Sequence, residues 1–274
     1  SVSGSIPFIL FGFGIVDSFF ESMSGITTTG ATVIAGLDDL PKSLLIYRQL
    51  LQWLGGMGLI VLAIAVMPLL GIGGGQLFKT QTPGPMSEQR LTPRITSTAR
   101  ALWSIYFVLT VLCIFAYRLA GMNYFDAVSH AFSTVSIGGF STHDLSIGFF
   151  DSLSIEIVCI TFMLLSAMSF AVHYSAIYRK QVLKYFYDPE LRFFVSLLIV
   201  ILGLVCLSLF ANDIDNPIRS GLFQTVSILT TTGFLTDEYS SWPAYISFML
   251  LVGAFIGACS GSVGGGIKSW RILI

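Results

Sequence analysis

Charged side chains are scarce in this sequence. Asp, Glu, Lys and Arg together make up 11% of the residues, against about a quarter in soluble domains. That shortage excludes a chain whose whole surface faces water. Cysteine gives no framework either: Cys113, Cys159, Cys206 and Cys259 stand singly inside apolar stretches. A zinc pair and a disulfide scaffold are excluded, and each thiol reads as a small, soft core residue. His130, His143 and His173 share no metal-ligand spacing, and no nucleophile–base pair or dinucleotide fingerprint is present. Residues 261–269 half-match a phosphate loop, but Ile267 separates Gly266 from Lys268 and no strand precedes them, so the match is accidental. Nothing in the sequence points to an enzyme or to a bound cofactor. Residues 1–14 lack the basic start and small-residue cleavage site of an export signal. With no initiator methionine, and a stop just past Lys268 and Arg271, the sequence reads as a segment of a longer protein.

Apolar sequence is what the chain has in quantity. Hydrophobic residues reach 54% and the mean hydropathy is +0.81. Five long runs, at 44–70, 101–120, 152–178, 191–210 and 242–267, are about long enough to cross a bilayer as helices. The tail of another lies at 6–14. Between them fall three shorter apolar stretches, 19–26, 125–135 and 222–229. Each is too short to cross, so it lies at the interface or dips in and returns. The aromatic content (23 Phe, 10 Tyr, 4 Trp) suits lipid contact and interfacial packing and gives no sign of a nucleic-acid partner.

Charge assigns the sides. Ten of the 14 Lys and Arg residues fall in 79–100, in 179–192 and after the last run, which the positive-inside rule makes cytoplasmic. Lys42, Arg48, Arg118 and Arg219 are left for the outer side. Twelve of the 15 carboxylates fall on or near that outer side. There they either focus cations toward a concave mouth or reflect ordinary acidic loops.

The three short stretches align without gaps. Asp17-Ser-Phe-Phe-Glu-Ser-Met-Ser-Gly-Ile-Thr-Thr-Thr-Gly30 overlays Asp126-Ala-Val-Ser-His-Ala-Phe-Ser-Thr-Val-Ser-Ile-Gly-Gly139 and Ser220-Gly-Leu-Phe-Gln-Thr-Val-Ser-Ile-Leu-Thr-Thr-Thr-Gly233. A serine (Ser24, Ser133, Ser227) stands six residues before each terminal glycine. The spacing leaves room for one outgoing span, a cytoplasmic loop and one returning span, so each copy is a re-entrant unit turning on the outer side. Internal repetition of this kind is common in transport folds. Irregular backbone at membrane depth is tolerated only where protein buries it or a wet pathway bathes it. Carbonyl oxygens there can replace the water shell of an ion. Glycine gives the positive φ that turns carbonyls inward, and the preceding short helix aims its partly negative end the same way.

The three turns, together with Thr82-Pro-Gly-Pro-Met-Ser and Ile137-Gly-Gly-Phe-Ser-Thr-His-Asp144, resemble the Trk/Ktr/HKT superfamily of potassium transporters over all 274 residues. The resemblance implies four helix–pore–helix units around one filter, each giving one turn. Carried over by motif position, the ion-facing residues are Thr28, Thr29 and Gly30; Ile137, Gly138 and Gly139; and Thr231, Thr232 and Gly233. The start of the first unit and the whole fourth unit are absent. Glycine at position 30, where sodium-preferring relatives carry serine, points to potassium as the transported ion. The resemblance also implies a bacterial inner-membrane location, a homodimer, and a cytoplasmic nucleotide-binding regulatory subunit of the TrkA type.

The run at 242–267 begins as an apolar helix and becomes Gly257-Ala-Cys-Ser-Gly-Ser-Val-Gly-Gly-Gly-Ile-Lys268. Each glycine costs about 1 kcal/mol of helix relative to alanine, so a polar loop is expected over 257–268. A small-residue helix packed closely on a neighbour is the alternative. By resemblance the loop gates the pore, through Gly257, Ser260, Gly261, Gly264, Gly265, Gly266 and Lys268.

The expected protein is therefore an all-α polytopic membrane protein, its helix–pore loop–helix units arranged pseudo-symmetrically around one pore. Repeat 1 spans 1–71 with pore helix and filter at 17–31. Repeat 2 spans 72–178 with its filter at 136–140. Repeat 3 spans 179–274 with its filter at 230–234 and the Gly-rich loop at 257–268. Rival readings are a sodium- or proton-coupled symporter on the same fold, for which Glu156 is the one acidic residue within a span, and a non-conducting membrane scaffold. Glu21 and Asp126, on the pore helices, either attract ions or fix the helices by hydrogen bonding. Histidines 130 and 143 are expected to pack or hydrogen-bond.

Overall fold

A computed structural model of the chain describes residues 2–69, 95–237, 239 and 242–273. Among them every regular element is helical. The first unit comprises α1 (Val2–Phe11), the short α2 (Ile15–Ile26) and α3 (Lys42–Leu69). The second comprises α4 (Ile95–Leu119), the short α5 (Tyr124–Val135), α6 (Leu153–Ala167) and α7 (Phe170–Tyr178). A single turn, α8 (Lys184–Tyr187), leads into the third: α9 (Pro189–Ala211), α10 (Pro217–Leu229) and α11 (Ala244–Ile256), with α12 (Ser269–Leu273) beyond a loop. The glycine run at 71–75 and the motif at 82–87 lie outside the described residues.

Local chemistry explains where these helices begin. The Asp188 carboxylate accepts the Leu191 N–H at 3.0 Å, with Pro189 in the first turn of α9. Asn123 accepts the Asp126 N–H at 2.9 Å to start α5, and Pro217 opens α10. Such caps satisfy N–H groups that a helix start leaves orphaned. Helix α9 buries Leu191, Phe194, Leu198, Ile201, Val205 and Leu209 along one stripe, while Ile199, Val200, Leu204 and Leu207 stand exposed on the other face. A helix apolar all round suits a lipid surface. Segments Ala99–Leu119 and Pro189–Ala211 are each long and apolar enough to cross a membrane alone.

The short helices have 12, 12 and 13 residues, about 18–20 Å at ~1.5 Å per residue. That falls short of a ~30 Å hydrocarbon core. They carry their polar side chains inward: Ser18, Glu21, Ser22 and Ser24 of α2, Ser129, His130, Ser133 and Thr134 of α5, and Gln224, Thr225 and Ser227 of α10 are all buried.

Two long runs depart from a simple span. The run at 242–267 stops being helical at Ile256, as its glycines predict. The run at 152–178 is not one helix: α6 and α7 meet at a 92° bend. The cause lies elsewhere in the chain, because the loop after α11 replaces the helix bonds lost at the bend. The Cys259 N–H donates to the Ala167 carbonyl at 3.1 Å, and the Phe170 N–H donates to the Gly261 carbonyl at 3.1 Å. Hydropathy registers no break at Met168–Ser169, since both halves are apolar.

Candidate ion pathway

Each short helix ends in the same backbone turn. The second residue of the turn is left-handed (Thr28 φ 55°, Ile137 φ 53°, Thr231 φ 64°), and so is the glycine two residues on (Gly30 φ 78°, Gly139 φ 79°, Gly233 φ 85°). The hydrogen bonds repeat as well. The N–H of Thr28, Ile137 and Thr231 donates to the carbonyl three residues back, at 3.0, 3.1 and 3.0 Å. The N–H of Thr29, Gly138 and Thr232 donates to the carbonyl of Ser24, Ser133 and Ser227, at 2.9, 2.8 and 2.8 Å. This pair of bonds is the Schellman ending of a helix, which usually takes glycine at the left-handed residue. Here β-branched residues occupy it, at a cost of about 1–2 kcal/mol each. Backbone strain of that kind collects at functional sites.

The carbonyl of the repeated serine closes each turn, a part that any residue's backbone can play. Its hydroxyl is not shared in role: Ser227 Oγ donates to the Phe234 carbonyl at 2.7 Å, while Ser24 Oγ and Ser133 Oγ are buried with no partner among the described residues.

The turns nest against one another through their glycines. A Cβ at Gly30 would stand 2.1 Å from the Gly138 carbonyl oxygen, and one at Gly139 would stand 2.0 Å from the Thr232 carbonyl oxygen. Each glycine of one turn therefore seats on the third-position oxygen of the next. A Cβ at Gly233 would meet nothing within 4 Å among the described residues. The nine filter residues read from the sequence thus come together as three adjoining turns. Among the described residues, the carbonyl oxygens of Thr28, Thr29, Gly30, Ile137, Gly139, Thr231, Thr232 and Gly233 accept no hydrogen bond. The Gly138 oxygen does, from Gln52 Nε2 at 2.7 Å.

Polar side chains brace the turns from behind; hydrogen bonding by Glu21, Asp126, His130 and His143 is among the sequence's expectations, and the role of Arg48 is not. Arg48 of α3 is fully buried and pairs with Glu21 of α2, Nε to Oε1 at 2.7 Å. Its other nitrogens donate to Thr32 Oγ1 at 3.0 Å and the Ser141 carbonyl at 3.4 Å, and its guanidinium lies over the Phe140 ring at 4.4 Å. Asp126 accepts from Asn123 at 2.6 Å and from Thr142 at 2.7 Å. His130 bridges the Asp126 carbonyl and Ser141 Oγ, both at 2.9 Å. On the outer face His143 stacks on Phe149 and bonds Asp38 and Asp126, while Asp144 accepts the N–H groups of Gly36 and Leu37. The hydrogen bond from His143 holds the Asp38 carboxyl below its ordinary value of 3.8.

Glu156 of α6 accepts Arg219 of α10 on both oxygens, at 2.7 and 3.0 Å. Counting carboxylates by side therefore overstated the outer mouth, since Glu21, Asp126 and Glu156 are buried and bonded within the fold. Arg48 likewise belongs to the interior and not to an outer surface. An Arg-Gln-Leu-Leu-Gln stretch with buried polar side chains at i and i+4 was the available signal for this bracing.

The loop after α11 crosses beneath the turns. The Gly265 N–H donates to Thr231 Oγ1 at 2.8 Å, and Val263 and Ser136 both pack on Gly56 of α3. Ser260 N–H donates to the Glu190 carboxylate, and Lys268 Nζ donates to the Gly264 carbonyl. Ser269 Oγ closes the loop on the Gly257 carbonyl at 3.1 Å.

Known proteins share this arrangement. Residues 9–274 match the TrkH family, described as a cation transport protein. The chain is 52% identical over 277 residues to the Trk system potassium uptake protein TrkH of Halomonas elongata, covering 99% of the chain and 58% of that protein. It is 47% identical over 265 residues to the Trk system potassium uptake protein TrkG of Escherichia coli, covering 94% and 54%. The crystal structure of the potassium transporter TrkH from Vibrio parahaemolyticus superposes with a TM-score of 0.87 at 47% identity, over 99% of this chain and 57% of that one. The chain thus spans somewhat over half the length of the curated relatives it matches.

Proposed function

The chain belongs to the TrkH family of cation transport proteins, and from that premise we propose that its three turns form three sides of a potassium-selective filter. One observation carries the proposal. Three turns with one backbone conformation seat glycine on carbonyl and leave eight of their nine main-chain oxygens without a donor among the described residues. Oxygens in that condition lower their free energy by binding a dehydrated cation. In this reading the carbonyls of Thr28, Gly30, Ile137, Gly139, Thr231 and Gly233 face the ion. Thr29, Gly138 and Thr232 set the spacing between turns. A fourth turn, from outside these 274 residues, seats on Gly233. The chain then divides into repeats at 1–71, 72–178 and 179–274.

The Gly-rich loop is the gate of this pathway. Gly257, Gly261, Gly264, Gly265 and Gly266 give it a backbone that can rearrange, and the Gly265–Thr231 bond ties it to the filter. Ser260 and Lys268 anchor its two ends. The protein resides in a bacterial inner membrane as a homodimer, with a TrkA-like nucleotide-binding partner on its basic cytoplasmic loops. A proton- or sodium-coupled symporter is disfavoured because Arg219 already occupies both oxygens of Glu156.

The test is rubidium uptake by the full-length protein in vesicles, competed by potassium and by sodium. Potassium should compete and sodium should compete weakly. Vesicles silent toward every alkali cation overturn the reading.

A further inference from the structure

We infer that Gln52 is a specificity-determining positioning residue, whose amide fixes the Gly138 peptide and with it the gap between the first two turns. The inference rests on the filter reading above. Gln52 sits on α3 of the first unit yet serves the second. Its side chain is fully buried. Nε2 donates to the Gly138 carbonyl at 2.7 Å, and Oε1 accepts the Phe140 N–H at 3.2 Å. One planar amide thus holds a carbonyl and an N–H two residues apart, as a neighbouring strand does in a sheet. The fit is close: a Cβ at Gly138 would fall 2.4 Å from Gln52 Cδ. Arg48, one helical turn earlier, extends the same support to the Ser141 carbonyl.

The oxygen that Gln52 holds is also the oxygen on which Gly30 rests. Any movement of the Gly138 carbonyl therefore changes the separation of turns one and two. Discrimination between potassium and sodium depends on the size of the site and on how firmly its carbonyl dipoles are held. Loosening this peptide should alter ion preference more than it alters total flux. The third turn supplies the contrast, since the Thr232 oxygen under Gly139 accepts no hydrogen bond among the described residues.

The experiment compares full-length transporter, Gln52→Glu and Gln52→Met in vesicles, by rubidium uptake competed with potassium and sodium across a pH series. A protonated carboxyl reproduces the amide pattern, with O–H donating to the Gly138 oxygen and C=O accepting from Phe140. An ionised carboxylate sets a second acceptor against the Gly138 oxygen. Gln52→Glu should keep the parental potassium preference at acidic pH and lose it on the order of tenfold as the carboxyl ionises, the scale of one buried hydrogen bond. Gln52→Met should show the loss at every pH, and the parent should show no such transition. Should Gln52→Met fail to insert, the pH series of Gln52→Glu decides alone. Variants that transport with parental preference at every pH overturn the role of Gln52 and leave the filter standing. A parent that carries no alkali cation overturns both.

Discussion

Turns two and three have the same dihedral pattern and opposite surroundings. Turn two is enclosed: Gln52 clamps Gly138, Arg48 reaches Ser141, and Gly139 rests on Thr232. Turn three is held by its own helix, by the loop beneath and by the second unit, through Ser227 to Phe234, Gly265 to Thr231, Leu235 to Ser146 and Gly148 to Leu235, and the flank of Gly233 meets no described residue. The left-handed residues of both turns are β-branched, so the local conformation is imposed in each by the helix ending and not by residue preference. What differs is how far a change can relax. Substitutions in turn two meet fixed neighbours, whereas those in turn three meet a loop built of glycine.

The sharpest way to break this contrast is alanine at the terminal glycines. Gly139→Ala puts a methyl 2.0 Å from a backbone oxygen on top of a left-handed φ, and should abolish rubidium uptake. Gly233→Ala meets no described atom, so within this chain it carries only the φ penalty of about 1–2 kcal/mol. In the full-length transporter it should be as damaging as Gly139→Ala if the proposed fourth turn rests there. Full uptake by Gly233→Ala would remove that turn from the filter.

Next in size are the clasps. Arg48→Ala leaves Glu21 charged and buried, and should lower stability by about 3–5 kcal/mol. Arg219→Ala breaks a pair with 34% of the arginine side chain exposed, and solvent should reduce its effect to roughly 1 kcal/mol. Chemical denaturation in detergent compares the two; equal losses would show that burial does not govern these pairs.

A smaller effect separates the turns by function. Thr231→Val removes the acceptor for the Gly265 N–H, worth about 1 kcal/mol, and should raise resting uptake. Ile137→Val, at the matching place in turn two, should leave resting uptake unchanged. Smallest is the outer clasp between Asp38 and His143. The Asp38 carboxyl is depressed in the folded state, so its contribution is whole above pH 3.8 and disappears as pH falls through the depressed value. Parent and Asp38→Asn should therefore converge in stability at strongly acidic pH and differ slightly above it. A gap that widens on acidification would contradict this sign.

Much of this architecture can be read from residue order. Run length distinguishes crossing helices from α2, α5 and α10, and the gap-free alignment of three stretches locates the turns within one residue. Glycine content predicts the end of α11 at Ile256. The break between α6 and α7 is invisible in the run at 152–178, because its cause is hydrogen bonding from residues some ninety positions later. Left-handed Thr28, Ile137 and Thr231 are hidden for a related reason: no propensity favours them, and only the helix ending imposes them. A side tally has no depth and so puts Arg48 on the outer side, whereas the bonded, interior places of Glu21 and Glu156 agree with one of the sequence's readings for each. Gln52 is legible only through its place one helical turn after Arg48, a spacing that gives no partner.

The bend at Met168–Ser169 and the loop at 257–268 complete each other's hydrogen bonds, Cys259 to Ala167 and Phe170 to Gly261. Pulling them apart strands two donors and two acceptors, and each such group is expensive to leave bare where it is buried. Intermediate displacements would carry that penalty without a replacement partner. An ion pathway gated this way, as proposed, should switch in steps, with two long-lived flux levels and few between.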